Sequence, residues 1–111
     1  MLFCLTADYT PQAVAAMRAN PTATRREAAN QLLEAAGGKV VEMFHTIANG
    51  PGALVIFDVT DPEMAAAITG LVTSAGSLQN TRLTRLYTME EITSIRQKVG
   101  KISGAYKVPG Q

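Results

Sequence analysis

Three predicted strands of this chain carry apolar side chains on both faces, and nothing else in the sequence constrains the fold as strongly. In Leu2–Tyr9, Leu2 and Cys4 alternate with Phe3, Leu5 and Ala7. In Ala53–Val59, Leu54 and Ile56 alternate with Ala53, Val55, Phe57 and Val59. In Lys39–Ala48, Val40 and Phe44 alternate with Val41, Met43 and Ile47. Successive strand side chains point to opposite sides, so a sheet built from these segments needs cover on both faces. An antiparallel sheet with one solvated face normally shows polar residues there. A bare apolar face is a patch that soluble monomers avoid. The economical cover is a second copy, sheet against sheet about a two-fold axis. A terminal helix folded over that face is the alternative.

Helix signals separate the strands. Thr10 can cap and Pro11 suits the first helical position, and Ala13 to Met17 continue that helix until Asn20-Pro21 breaks it. A second helix is predicted from Thr24 to Ala36, on the stripe Ala28, Ala29, Leu32, Leu33, Ala36, and Gly37-Gly38 ends it. Lys39–Ala48 and Ala53–Val59 flank the turn Asn49-Gly50-Pro51-Gly52 and read as a hairpin. Thr60-Asp61-Pro62-Glu63 opens a helix that buries Ala67, Ile68, Leu71 and Val72. Leu78–Tyr87 reads as a fourth strand, and Thr88-Met89-Glu90-Glu91 is a capping box for a terminal helix bearing Ile92, Ile95 and Val99. The order β-α(broken)-β-β-α-β-α matches an α+β, ferredoxin-like plan: a four-stranded antiparallel sheet with helices on one face, pairing as a dimeric α/β barrel. Residues 1–100 form a single domain, and residues 101–111, with little periodicity, a C-terminal tail. The cap-plus-proline start recurs in YTPQAVAAM and TDPEMAAAI; cap chemistry explains this echo as readily as duplication does.

Composition narrows the function classes. A chain of 111 residues with formal net charge +1 and 17% charged residues is no basic nucleic-acid binder. One Cys and one His exclude an internal disulfide and any metal site built from Cys and His alone within one chain. No residue set suggests a cofactor: phosphate-loop, dinucleotide, HExxH and nucleophile-elbow motifs are all missing. The longest wholly apolar run, Ala53–Phe57, is far short of the ~20 residues of a membrane span. With no basic leader near Met1, a cytoplasmic location is expected. Charge is uneven: residues 1–81 hold four cations and seven anions, residues 82–111 six cations and two anions. Arg96, Lys98, Lys101 and Lys107 therefore form a solvated face or clasp an acidic neighbouring subunit.

The chain resembles the GYD-domain family, a branch of the dimeric α/β-barrel proteins. The resemblance spans about residues 3 to 96. It is carried by the strand ending in Tyr9-Thr10-Pro11, the helix running into Gly37-Gly38-Lys39, and the strand through Phe44. The strand into Thr60-Asp61-Pro62-Glu63, and Tyr87-Thr88 before Glu90-Glu91, complete it. The Gly-x-Tyr-Asp that names the family stands here as Asn49-Gly50-Pro51-Gly52, without Tyr or Asp, so no role of those side chains is carried over. The resemblance implies a ferredoxin-like fold. The family's biochemistry is largely unassigned, and wider relatives include cofactor-free oxygenases, haem enzymes and ligand-sensing domains, so fold analogy does not settle function.

Few residues can carry chemistry. His45 titrates near neutral pH and shares a strand face with Val41, Met43 and Ile47. If that face lines the inter-sheet space, His45 enters the dimer's cavity as general base or ligand-binding group; a half-buried His bonded to a neighbour is the plainer alternative. Tyr9 can donate to a ligand or pack beneath the first helix, and Asp8 points the other way. Asn49 serves a ligand or its turn. Arg82 and Arg85 face opposite sides, one toward a carboxylate or anionic ligand and the other toward solvent. Met43 is a core filler or a pocket wall, and Cys4 an inert thiol. The expected function is a homo-oligomeric small-molecule-binding domain. Its ligand-binding residues would be Tyr9, Met43, His45, Asn49 and Arg82, its ligand a small apolar or anionic metabolite, and its partner itself. Two alternatives stand beside it: a cofactor-independent oxygenase- or isomerase-like enzyme with His45 as base in a hydrophobic inter-sheet pocket, and a structural or regulatory assembly protein.

Overall fold

A computed structural model describes all residues, Met1–Gln111. Its order is β1 (Leu2–Tyr9), α1 (Pro11–Ala19), α2 (Arg25–Ala35), β2 (Lys39–Ile47), β3 (Pro51–Asp58), α3 (Pro62–Ser74), β4 (Leu78–Leu86) and α4 (Met89–Ile102), then a 3-10 turn at Ser103–Ala105. The strands form one antiparallel sheet ordered β2-β3-β1-β4. This is the α+β, ferredoxin-like arrangement, with the two halves of the chain interleaved.

Local chemistry sets the helix starts. The Thr10 hydroxyl accepts from the Ala13 amide, the Asp61 carboxylate from the Glu63 amide, and Thr88 with Glu91 closes a reciprocal capping box. α2 is the exception: Thr24 stands at its N-cap without accepting a side-chain hydrogen bond. Gly37, at φ +76°, supplies the left-handed residue that ends α2.

The core lies between one sheet face and α2 and α3. Phe3 and Leu5 of β1, Phe57 of β3, Leu33 of α2 and Ala65 and Ile68 of α3 are buried together with Val59. The Phe3 and Phe57 rings stack with centroids 5.7 Å apart. The odd-numbered residues of β1 face the helices, and Leu2, Cys4, Thr6 and Asp8 face the other way. No helix packs extensively on that second face, so the terminal helix does not fold over it. Instead α4 extends outward, with no buried residue, and the molecule is 59 Å long but only 33 by 22 Å across. Its helical run reaches Ile102, past the start of the expected tail.

Two bulges reset the alternation. Val40 pairs with Phe57 but Glu42 with Ile56, so β2 holds one extra residue at Val41. With two residues opposing one, the alternation restarts, and Val40, Met43, His45 and Ile47 come to one face. Between the Thr6–Arg82 and Asp8–Gln79 pairs, β4 holds an extra residue, where Asn80 adopts φ +55°. Asparagine tolerates that region better than most side chains.

Candidate functional site

β2 is an edge strand, and through His45↔Ala53 and Met43↔Val55 its inner residues share the helix-facing side of β3. The condition under which His45 would enter an inter-sheet space is therefore not met: that face lies on the side of α2. The bulge does not itself move His45 away from Met43 and Ile47; what periodicity left open was which side the helices would cover.

On this side the structure brings together three of the expected ligand residues. Tyr9 ends β1, and its ring stacks on His45 with centroids 6.2 Å apart. Both line an open depression of about 260 Å³, with Met43, Phe44, Arg25 and Arg26. Beneath it a cavity of about 90 Å³ runs between α2 and the sheet, walled by Ala28, Ala29, Leu32, Met43, Val55 and Leu78 among others. Tyr9, Met43 and Arg25 border both spaces, and Arg25 is the one non-hydrophobic residue on the inner cavity. The cavity exists because the sheet-facing side of α2's first turns offers only the methyl groups of Ala28 and Ala29, where larger side chains would close the gap to Met43 and Val55.

Tyr9 is 8% exposed, and its hydroxyl takes part in none of the protein's side-chain hydrogen bonds. No polar side-chain atom is sealed from solvent without a partner, so this hydroxyl is open to solvent, and Tyr9 borders this depression and the one beside it. Arg26 reaches Glu42 at 3.9 Å, whereas Arg25 belongs to no ion pair. The mouth therefore presents an uncommitted guanidinium, a phenol and an imidazole above an apolar pit.

The other expected residues lie elsewhere. Asn49, in the hairpin turn, borders a neighbouring shallow depression that shares Tyr9 and includes Arg18. Arg82 pairs with Thr6 on the sheet face without helices, so it cannot join Tyr9 and His45. Arg85 does point to the helix side: it sits 4.4 Å over the Tyr87 ring and 5.6 Å from the Phe3 ring, and donates to Glu91 at 2.7 Å. The Thr88 amide first, and Arg85 next, hold the Glu91 carboxyl below its ordinary value. This cluster fixes the root of α4. Cys4, on the face without helices, has its thiol pushed up by burial and is a poor nucleophile. No group of three or more His, Cys, Asp or Glu is placed to hold a metal ion, and no helix is long and apolar enough to cross a membrane.

The GYD-domain model matches residues 3–95 of the 111. The chain belongs to the GYD-domain family. That family lies within the dimeric α/β-barrel superfamily. No curated protein matches the chain. Sequence reasoning missed Arg25 and Arg26 in this GYD domain; the signal was there in two adjacent cations opening the helix whose apolar stripe begins at Ala28.

Proposed function

We propose that this GYD domain is a homo-oligomeric small-molecule-binding protein whose site is the cavity between α2 and the sheet. The observation that carries this reading is the combination of an apolar cavity of about 90 Å³ with a polar mouth. Interiors are close-packed, and a cavity of this size lowers stability by at most about 2 kcal/mol at roughly 24 cal/mol per Å³, less where it opens to the depression. Its lining is too apolar to hold ordered water well, which suits an apolar group of a ligand.

Two unpartnered apolar surfaces support self-association. Leu2, Cys4, Leu54, Ile56, Phe44 and Leu86 share the sheet face that no helix covers. Along α4, Ile95, Val99 and Ile102 are exposed at spacings of four and three. A second copy covers the sheet face at least cost in new surface.

A native mass spectrum tests both halves. A dimer or larger assembly with retained extra mass supports the proposal; a monomer to which small apolar compounds add no mass and no thermal stabilisation overturns it. His45 at the mouth favours a second reading, a cofactor-independent enzyme with His45 as base for a substrate held in the cavity. No hydrogen bond orients the His45 ring, which weights the geometry toward binding.

A further inference from the structure

Resting on the pocket reading above, we infer that the ligand is a small amphipathic carboxylate, its chain in the cavity and its carboxylate between the N-terminus of α2, Arg25 and the Tyr9 hydroxyl. Three independent features converge at one place. The first-turn amides of α2 have no side-chain cap, because Thr24 accepts no hydrogen bond from them, and such amides favour an anion. Arg25 stands at the first position of that helix and borders both the cavity and the depression. Tyr9 is a buried residue that lines both spaces, and its hydroxyl has no hydrogen-bond partner within the protein.

The charge arrangement selects the sign of the head group. Arg26 lies 3.9 Å from the Glu42 carboxylate in an exposed contact, whereas Arg25, which borders both spaces, has no carboxylate partner. Arg18 borders the adjoining depression on the far side of Tyr9. A cationic head would meet the Arg25 guanidinium and a neutral one would leave it unused; Glu27, in the same first turn of α2, offsets part of the positive helix end, so Arg25 carries the selection. The volume selects the size. The cavity of about 90 Å³ adjoins the depression of about 260 Å³, with Tyr9, Met43 and Arg25 on both, which suits a short aliphatic chain or part of a small ring below a polar head. A planar carboxylate also matches the fork of a guanidinium.

Calorimetric titration of the full chain with hexanoate, hexan-1-ol and acetate tests this. Hexanoate is expected to bind about tenfold or more tightly than hexan-1-ol, as for one charge-assisted interaction, and acetate more weakly than hexanoate. Arg25→Gln, at an exposed position, is expected to bring hexanoate down to about the level of hexan-1-ol measured in the same variant. Tyr9→Phe keeps the ring and is expected to weaken hexanoate alone. Equal affinity of hexanoate and hexan-1-ol, or hexanoate binding insensitive to Arg25→Gln, overturns the carboxylate assignment while leaving the cavity as a binding site. Binding of none of the three compounds overturns the assignment together with the pocket reading.

Discussion

Filling the cavity should stabilise the protein and abolish binding, and Ala29→Leu is the substitution that does so. Ala29 lies on α2, one turn before the buried Leu33, and its methyl borders the cavity. A void of about 90 Å³ at roughly 24 cal/mol per Å³ corresponds to at most about 2 kcal/mol. From the other direction, leucine adds three carbons, worth about 0.8 kcal/mol each on burial and so about 2 kcal/mol together. Ordering the new side chain costs about 0.5–1 kcal/mol, and leucine is nearly as good a helix former as alanine. The expected gain is about 1–2 kcal/mol in urea unfolding, with Tm rising roughly 4–8 °C per kcal/mol for a domain of this size. Hexanoate binding should fall below detection in the same variant. A lowered Tm with hexanoate affinity retained would refute the reasoning, since it would mean that leucine overpacks the core and that ligand binds elsewhere.

Three further outcomes follow from the same geometry. Gly38→Ala places a Cβ into the Asp58 carbonyl oxygen and 2.7 Å from Val59 Cγ1, so urea unfolding should show a loss of about 1–3 kcal/mol. Ile56→Glu puts a carboxylate at the centre of the uncovered sheet face; under the proposed self-association through that face, sedimentation should show assembly weakened by about tenfold or more relative to the unsubstituted chain, with Cys4 alkylation speeding up. Glu91 titrates below its unfolded value, so its contribution to α4 is complete above about pH 4.3 and is lost as pH falls through the lower folded value. Glu91→Gln should accordingly remove part of the acid limb in a pH titration of helicity followed by far-UV circular dichroism.

Much of the fold was legible because local signals agreed with one another. Thr10-Pro11, Asp61-Pro62 and the Thr88–Glu91 box each open a helix where their chemistry places it, and the turn after Ile47 closes the expected hairpin. The opposite facing of Arg82 and Arg85 follows from strand parity alone, and the structure keeps it. What escaped were features that parity cannot carry. The bulge at Val41 puts Val40 on the same face as Met43, where simple alternation pairs it with Phe44. Periodicity showed that Met43 and His45 share a face but not that α2 covers it. Arg25 carries no mark in sequence beyond its place at a helix start, and only the packing of α2 over the sheet puts it on the same cavity as Tyr9. The projection of α4 was hidden for a related reason: its stripe of Ile92, Ile95 and Val99 promises burial without saying against what.

The central claim is that ligand enters between α2 and the sheet rather than against the uncovered sheet face. Methyl-selective NMR of the full chain titrated with hexanoate decides between them. The account predicts shifts at Met43, Leu32 and Leu78, with Leu54 and Ile56 undisturbed. Shifts confined to Leu2, Leu54 and Ile56 would contradict it and return the site to the space between paired sheets.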